Sequence, residues 1–224
     1  KPAKRDFFHQ GVRVKTVFTI EKKSLDATVY AALAAFYCAF GKYDIVHFHA
    51  EGCCYMSWLP RLMGKRVIVT IHGLDWQRAK WGGFGSRFIR FGEKMAVKWA
   101  DEIIVLSKSV EKYFWETYGR KTTVIPNGAT PVETKRANLI HEKWGLRDGD
   151  YILFLARLTP EKGAHYLLEA YAGLKTDKKL VIAGGSSFTD TYAEQLKARA
   201  KDDGRVILTG FVQGELLEEL YSNA

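Results

Sequence analysis

The sequence predicts an α/β protein built from parallel β-sheets that helices wind around. Short runs of β-branched and apolar residues alternate with longer segments in which apolar residues recur at helical spacing, along almost all of the 224 residues. Some short runs, such as residues 66–71, are apolar almost throughout, which is typical of strands buried on both faces of a parallel sheet. Short loops separate the segments. These observations together predict doubly wound parallel sheets.

The first part of the chain is predicted to contain five strands that alternate with four helices. Residues 12–20 alternate polar and apolar side chains, and residues 25–40 are rich in alanine with apolar residues at helical spacing. Ser107 or Ser109 can cap a later helix, and a turn at 126–128 ends the last strand. The predicted strands are 12–20, 43–49, 66–71, 102–106 and 122–125, and the predicted helices are 25–40, 53–63, 87–99 and 107–118.

A polar run at residues 129–138 interrupts this alternation and is predicted to be an interdomain linker. We therefore expect a first lobe at 1–128 and a second lobe at 139–224. The second lobe has few predicted strands for a free-standing doubly wound domain, so we expect it to be cut short. Its predicted strands are 151–155, 180–183 and 206–208, and its predicted helices are 164–174, 192–200 and 215–221.

Charge is distributed unevenly between the two lobes. The net charge is +9, and residues 1–128 hold 21 Lys and Arg against 11 Asp and Glu, a balance of +10. This asymmetry indicates that the first lobe faces an anionic partner such as a membrane surface, a lipid phosphate or nucleic acid. A solvated basic face without a partner explains it equally well.

Composition indicates a globular protein of a reducing compartment. Hydrophobic residues make up 47% of the chain and aromatic residues 13%, enough to bury real cores. The cysteines Cys38, Cys53 and Cys54 show neither a CxxC pair nor a zinc-ligand spacing, so we expect no disulfide framework and no zinc site. No apolar stretch approaches the roughly 18–20 residues of a membrane span, and no signal peptide is evident. The first residue is lysine, so we expect the chain to begin partway into a longer protein.

The strongest chemical signal follows the first predicted strand of the second lobe, where residues 154–163 read FLARLTPEKG. Arg157 and Lys162 lie on either side of Pro160, so both cationic groups can converge on one phosphate. Backbone N–H groups at the start of the helix after Gly163 would add to the attraction. An ordinary exposed loop with two solvated cations is the alternative, since such pairs are common on surfaces.

Three segments carry a family resemblance: ARLTPEKGAHYLLEAY, TIHGLDWQRAKWGGFGSRFIRFGEKMAVKWADEIIVLS and VIPNG. They resemble family 4 of the retaining glycosyltransferases, most closely a rhamnosyltransferase-like subgroup of polysaccharide biosynthesis. The resemblance runs from about residue 11 to the end and keeps the family's order of segments. It implies two Rossmann-like lobes that face a cleft, the GT-B fold. It also implies transfer of a sugar from a UDP, GDP or dTDP sugar to a saccharide or lipid-linked saccharide.

The resemblance assigns donor-binding roles in the second lobe. Arg157 and Lys162 match the pair that holds the diphosphate and stabilises the leaving nucleotide, for which the family needs no metal and no other cofactor. Gly184 and Gly185 would let the backbone approach the nucleotide, or merely end a strand. The segment around Phe211 resembles the one whose backbone contacts the base, although Phe211 is equally typical of a core residue.

In the first lobe, His72 matches the family's catalytic histidine, which would hydrogen-bond the donor sugar or a nearby hydroxyl group. A structural hydrogen bond is the alternative for a histidine at a strand end. Asp75, Trp76 and Arg78 open a glycine-rich loop that we expect to bind the acceptor or to act as a lid. A packing role is the alternative for Trp76.

Two further groups at strand ends have weaker signals. Asn127 and Gly128 end the first lobe at a corner that faces the cleft in the family, or form a plain turn. His47 and His49 alternate on a strand, with Glu51 just beyond it. Because a third ligand is missing, we expect a polar strand end at the cleft here and not a metal site.

The resemblance implies two parts that this stretch of sequence lacks. The family's glycine-rich turn after the first strand should precede residue 1, and its paired glutamates should follow residue 224, so we expect these 224 residues alone to be inactive. We expect a cytoplasmic enzyme that either associates with the cytoplasmic face of a membrane or uses a soluble acceptor, in which case the positive charge is incidental. The alternative is a non-catalytic nucleotide- or nucleic-acid-binding module. No RNP-like, helix-turn-helix or zinc-finger pattern supports nucleic acid as a partner.

Overall fold

A computed structural model describes residues 6–20, 22, 25–77, 82–129, 133–186 and 190–224. The chain divides into two compact units, Lys1–Gly128 and Ala129–Ala224. Each unit contains one parallel sheet with its own hydrophobic core.

The described part of the first unit alternates strands and helices. Its elements are β1 (Phe7–His9), β2 (Val12–Val14), α1 (Asp26–Phe40), β3 (Ile45–His49), α2 (Trp58–Leu62), β4 (Arg66–Ile71), α3 (Gly83–Trp99), β5 (Glu102–Val105), α4 (Lys108–Tyr118) and β6 (Thr123–Val124). Two 3-10 helices, Glu51–Met56 and Asp75–Gln77, follow the ends of β3 and β4. Both of them therefore begin near the carboxyl edge of the sheet.

Four strands of this unit form a parallel sheet in the order β3-β4-β5-β6. The inner strand β4 has no exposed surface at Val67, Val69 or Ile71. Alanines of α1 and Phe114 of α4 pack into the same core. The prediction of a buried parallel strand at 66–71 is confirmed. Apolar residues on both faces of this strand exclude water from both sides.

The predicted strand at residues 12–20 is wrong in its second part. Only the first three residues form β2, which pairs antiparallel with β1 across a turn with positive φ at Gln10 and Gly11. Thr16 donates its backbone N–H to the Asp6 carboxylate at 3.1 Å, so this N–H is not available to extend the ladder. A side chain therefore ends the hairpin where the alternating pattern would have continued it.

The predicted helix at residues 53–63 is divided in two. A 3-10 helix covers Glu51–Met56, and α2 begins only at Trp58. Pro60 has no N–H to donate to the carbonyl of Met56, so a continuous α-helix through this segment would lose a hydrogen bond. The backbone changes its hydrogen-bond pattern at Ser57 instead.

The second unit contains a helix that was not predicted. Its described elements are α5 (Leu139–Trp144), β7 (Tyr151–Leu155), α6 (Ala164–Ala172), β8 (Lys179–Ala183), α7 (Asp190–Ala200), β9 (Val206–Gly210) and α8 (Glu215–Ser222). The unpredicted helix, α5, is too short to show a period in the sequence. Its first turn is held from α8, where the Glu219 carboxylate accepts the backbone N–H of Ile140 at 3.1 Å.

The second sheet is parallel in the order β7-β8-β9. Its central strand β8 is buried on both faces. Leu180 and Ile182 belong to a core cluster with α6 and α7, whereas Val181 and Ala183 pack with α5 and α8. The double winding predicted from the alternation of strands and helices is therefore present in this unit.

Helix α3 crosses the 3-10 helix Glu51–Met56 at very close range. The stripe that α3 buries consists of Ile89, Gly92, Glu93 and Ala96. A Cβ atom on Gly92 would lie 2.1 Å from the carbonyl oxygen of Glu51. Glycine is therefore required at position 92 by the approach of a neighbouring backbone, although a helix interior normally disfavours it.

We predict that Gly92→Ala lowers the free energy of unfolding of the first unit by about 1–3 kcal/mol, because the overpacking outweighs the better helix propensity of alanine. Urea denaturation followed by tryptophan fluorescence measures this change. Gly52→Ala is the matched control, since a Cβ atom at Gly52 would meet nothing within 4 Å. Equal stability of the two variants would contradict the close contact.

Candidate active site

Three histidines lie near the carboxyl ends of two neighbouring strands of the first unit. His47 and His49 belong to β3, and His72 directly follows β4, which pairs with β3 in parallel. Because parallel strands present their carboxyl ends at one edge, the fold itself brings His49 and His72 together. This edge is the usual ligand-binding side of an open α/β sheet.

The three imidazoles lie side by side, with the ring centroids of His47 and His49 4.3 Å apart. Nδ1 of His49 lies 3.1 Å from Nε2 of His72, and their rings are stacked with centroids 5.3 Å apart. Nε2 of His47 hydrogen-bonds Oγ1 of Thr70 at 2.8 Å. Partial burial, followed by the charges of His49 and His72, lowers the pKa of His47, so this ring is neutral at pH 7. Within the described residues, Nδ1 of the exposed His72 makes no hydrogen bond and can receive a ligand.

The loop after His72 packs inward through Trp76. The indole Nε1 of Trp76 donates to Oε2 of Glu93 at 3.2 Å, and the Arg90 guanidinium lies 4.8 Å from the ring centroid. Ser86 donates its hydroxyl group to the carbonyl of Trp76 at 3.1 Å. Trp76 is therefore a packed residue whose N–H group already has an acceptor. Its predicted contact with an acceptor substrate stays a prediction.

Two fully buried carboxyl groups lie beneath this loop. Glu51 and Glu93 have no exposed surface. Oε2 of Glu51 accepts the backbone N–H of Asp75 at 2.9 Å, and Oε1 of Glu93 accepts the hydroxyl groups of Tyr113 and Tyr118. Burial and the proximity of Glu93 raise the pKa of Glu51 to about 9, so Glu51 is neutral at pH 7.

The remaining candidates of the first unit divide into described and undescribed residues. Asn127 and Gly128 are exposed beyond β6, whose ladder continues through the hydrogen bond from Ile125 N–H to the Val105 carbonyl. They therefore follow the carboxyl end of the edge strand of the sheet that carries His72. Arg78 lies outside the described residues.

The carboxyl edge of the second sheet brings together candidates from three loops. Arg157 follows β7, Gly184 and Gly185 follow β8, and Phe211 follows β9. The first two loops are joined because the backbone N–H of Leu158 donates to the carbonyl of Gly185 at 3.0 Å. The structure thus places these predicted donor residues at one edge of a single unit.

Gly184 and Phe211 have different structural requirements. A Cβ atom on Gly184 would lie 1.8 Å from the carbonyl oxygen of Ala156, and φ at Gly184 is +154°. Only glycine satisfies both conditions, so Gly184 has a structural role whether or not a nucleotide binds there. Phe211 is 74% exposed, so its side chain is not part of the core.

Lys162 reaches this edge through a short 3-10 helix, Pro160–Lys162, which ends at Gly163 with φ of 75°. Gly163 is also the N-cap of α6. Hydrogen bonding to its own backbone N–H, assisted by the charges of Arg157 and Lys162, lowers the pKa of Glu161. The charges of Arg157 and Lys162 therefore both act on the Glu161 carboxylate.

The described residues were also compared with the requirements of a ligand groove, a metal site and a membrane-spanning helix. A groove of about 480 Å³ runs beside α4 and is lined by Trp115, Arg120 and Thr122 among others, but by none of the candidate residues. No group of three or more His, Cys, Asp or Glu side chains in the described ranges could hold a metal ion. None of the helices there is both long and apolar enough to cross a membrane.

Comparison with known proteins decides the family. The model of Glycosyltransferase Family 4 matches residues 2–132, and that of Glycosyl transferases group 1 matches residues 137–224. The chain belongs to Glycosyltransferase Family 4. Together the two matches cover both units of this family 4 chain.

Two curated relatives are uncharacterized glycosyltransferases. MJ1607 of Methanocaldococcus jannaschii is 30% identical over 206 residues, which cover 82% of this chain and 50% of MJ1607. YqgM of Bacillus subtilis is 29% identical over 187 residues, which cover 81% of this chain and 50% of YqgM. The family 4 chain thus spans about half the length of these relatives.

Solved structures support the same fold. The crystal structure of Anabaena Alr3699/HepE in complex with UDP and glucose matches with a TM-score of 0.69 and 17% identity, covering 87% of this chain and 54% of HepE. A glycosyltransferase from Rickettsia africae matches with a TM-score of 0.64 and 20% identity, covering 94% of this chain and 57% of that protein. The family 4 chain therefore has the α/β fold with parallel sheets of GT-B glycosyltransferases.

Sequence reasoning missed the buried carboxyl pair of this family 4 chain. Glu51 was considered only as a neighbour of two histidines, and Glu93 was not singled out. One signal was present: Glu93 occupies the helical stripe with Ile89 and Ala96, where an apolar residue is expected. A carboxyl group at a core-facing helical position requires partners, and these partners come from segments distant in the sequence.

Proposed function

We propose that this chain is part of an enzyme that transfers a sugar from a nucleoside diphosphate to a saccharide or lipid-linked saccharide, with retention, in polysaccharide biosynthesis. Membership of Glycosyltransferase Family 4 supports sugar transfer. The similarity to HepE, crystallised with UDP and glucose, supports a nucleotide-sugar donor and makes UDP the first nucleotide to test. A rhamnosyltransferase-like hexosyl transfer is the specific form that we propose.

One observation carries this proposal: Arg157 and Lys162 are exposed cations on one short loop that follows β7 at the carboxyl edge of the second sheet. Neither cation forms an ion pair within the ranges that the structure describes, although the charges of both help to lower the pKa of the exposed Glu161. Two cations that are close together and not neutralised attract a dianionic ligand such as a diphosphate.

The chemistry that these two residues provide is electrostatic. Negative charge develops on the nucleoside diphosphate as its bond to the sugar breaks. The Arg157 guanidinium can bind two phosphate oxygens at once, and the mobile Lys162 ammonium can follow the charge as it grows. We propose that these two side chains, without a metal or other cofactor, stabilise the leaving group.

The first unit supplies the residues proposed to contact the sugars. His72, whose Nε2 is held by His49, presents Nδ1 for a hydrogen bond with a sugar hydroxyl group. We propose that Asp75, Trp76 and Arg78 form the acceptor side. Asn127 and Gly128 are proposed to contact the donor. In the second unit, Gly163, Gly184, Gly185 and the backbone around Phe211 are proposed to contact the nucleotide.

We predict that Arg157→Ala and Lys162→Ala each weaken UDP binding by about 1–3 kcal/mol, because each removes a charge-assisted hydrogen bond to the diphosphate. Isothermal titration calorimetry with UDP on the intact protein measures this change.

The matched controls are Arg147→Ala and Lys201→Ala, which remove exposed cations of the same unit just before β7 and after α7. Equal UDP affinity in all four variants would contradict the diphosphate assignment. UDP binding without sugar transfer to any acceptor would favour the alternative, a non-catalytic nucleotide-binding module. Preferential binding of random oligonucleotides would favour a nucleic-acid-binding module.

We predict that His72→Ala lowers kcat of sugar transfer by roughly 10²–10³-fold, the usual effect of losing one preorganised hydrogen-bonding group, while UDP affinity stays unchanged. Steady-state kinetics with a UDP-sugar donor measures kcat, and calorimetry measures the affinity. His9→Ala, in the β1–β2 hairpin, is the control. Wild-type kcat in the His72 variant would remove this histidine from the mechanism.

A membrane surface is the proposed location of the acceptor, because α1 is packed in an unusual orientation. The helix buries its small residues Ala31, Ala35 and Ala39 and exposes large ones, with Phe36 51% and Phe40 64% exposed. A basic residue borders this face, since the Lys15 ammonium group lies 4.2 Å from the ring centroid of Tyr37. Exposed aromatic side chains beside cations are suited to an anionic lipid surface on the cytoplasmic side of a membrane.

We predict that a Phe36→Ser/Phe40→Ser variant loses most of its binding to anionic phospholipid vesicles, because both aromatic anchors are removed. Co-sedimentation with anionic and with neutral phosphatidylcholine vesicles, at low and high salt, measures binding. Tyr221→Ser, which changes an exposed aromatic residue of the second unit, is the control. Binding that is equal for both lipids and insensitive to salt would contradict a contribution of the basic residues to membrane binding.

A further inference from the structure

We propose that the buried carboxyl groups of Glu51 and Glu93 position the loop after His72. For the acceptor side of the site this inference rests on the proposed function, whereas the positioning itself can be measured without any reaction. Both glutamates are positioning residues, because they reach the candidate site only through the backbone of Asp75 and the side chain of Trp76.

The pair holds two successive residues of the loop from below. Oε2 of Glu51 accepts the N–H of Asp75 at 2.9 Å, and Oε2 of Glu93 accepts the indole N–H of Trp76 at 3.2 Å. One bond fixes the backbone and the other fixes a large side chain. Together they fix the direction in which the loop leaves His72.

The carboxyl groups are themselves held in place. Tyr113 and Tyr118 of α4 both donate to Oε1 of Glu93. Glu51 is directed inward by Ala50, a non-glycine residue with φ of 70°, and its carbonyl contacts α3 at Gly92. A positive φ at alanine is costly and persists only where the surrounding contacts require it.

Glu51 is the carboxyl group of the two that carries a proton. Both carboxyl groups are completely buried, and no Lys or Arg side chain hydrogen-bonds either of them among the residues described. Oε1 of Glu51 is buried without a hydrogen-bond donor in the same part of the chain, so a charge on it would be poorly solvated. Burial and the neighbouring Glu93 raise the pKa of Glu51 to about 9, so Glu51 is protonated at pH 7.

Other titratable or charged groups also face the pair. They are Asp75 from the 3-10 helix after His72, Cys54 from the helix of Glu51, Arg90 from α3, and Tyr113 and Tyr118 from α4. Burial raises the pKa of Tyr113 and Tyr118, and hydrogen bonding with Cys53, followed by burial, raises that of Cys54. These groups therefore stay neutral when Glu51 loses its proton. Hydrogen bonding with Cys54 lowers the pKa of the nearby Cys53. The titration of this thiol must therefore be distinguished from that of Glu51.

The pKa of Glu51 rises from 4.5 to about 9 on folding, so the stability that protonated Glu51 contributes is fully present below pH 4.5, decreases as the pH rises above this value and is lost once the pH passes about 9. Above this pH the fold holds a charged carboxylate at a fully buried position. The contacts to Asp75 and Trp76 weaken as a consequence, and the loop leaves its position.

The test follows the indole N–H of Trp76 in ¹H–¹⁵N NMR spectra of the 224-residue chain, from about pH 7 to about pH 10.5. The Trp76→Phe variant assigns the signal. We expect the wild-type signal to shift with a midpoint near 9. In Glu51→Gln, which keeps an acceptor oxygen but cannot ionise, we expect no shift in this range. Glu93→Gln removes the carboxylate acceptor, so its signal should differ from wild type at every pH.

Two controls separate this titration from others. Glu116→Gln removes an exposed carboxylate on α4, and Cys53→Ser removes the competing thiol. Both variants should keep the wild-type midpoint. A wild-type signal that does not titrate, a titration that persists in Glu51→Gln, or one that disappears in Cys53→Ser would each overturn the proposal.

Kinetics of the intact protein test the link to the acceptor. We expect the KM for the acceptor to rise roughly tenfold above pH 9 in wild type but not in Glu51→Gln, while the Kd for UDP changes equally in both. A rise of the same size in both proteins would overturn the acceptor link. If the indole titrates as expected but no sugar is transferred, the proposed function fails and the positioning of the loop stands.

Discussion

Parallel pairing of the strands is the constraint on which the candidate site depends. Residues that follow separate strands, such as His49 and His72 in one unit or Arg157 and Gly185 in the other, meet because parallel strands end at a common edge. Helices cover both faces of the second sheet, as the two core clusters beside β8 show, so its strand ends stay open for loops. The candidate residues are therefore concentrated in short loops at the ends of strands.

Several features at the carboxyl edge of the first sheet lower the stability of the fold. Gly92 brings α3 against the backbone of Glu51, Ala50 adopts a positive φ, and two carboxyl groups are buried beside each other. Each of these features would destabilise an ordinary core. Their concentration around the segment that follows His72 indicates that the position of this loop matters more than maximal stability.

The first unit also differs from the second in its surface. Helix α1 turns alanines inward and aromatic residues outward, in the unit that holds the positive charge of the chain. A helix that only packed on a sheet would show the opposite distribution. In the first unit, α1 therefore carries the exposed aromatic residues, whereas the strand ends carry the candidate site residues.

The sequence by itself determined the α/β class and the strand at 66–71, because hydrophobic periodicity is a local property of the chain. It also identified Arg157, Lys162 and His72 as candidates, because they lie in motifs that resemble those of the family. It failed for residues 15–20, for the break at Pro60 and for α5, where a side chain or a distant helix decides the backbone hydrogen bonds. Only the tertiary structure showed the contact of His49 with His72 and the pair of Glu51 with Glu93. These contacts join residues 23 and 42 positions apart, and no local pattern encodes which buried polar group will meet which partner.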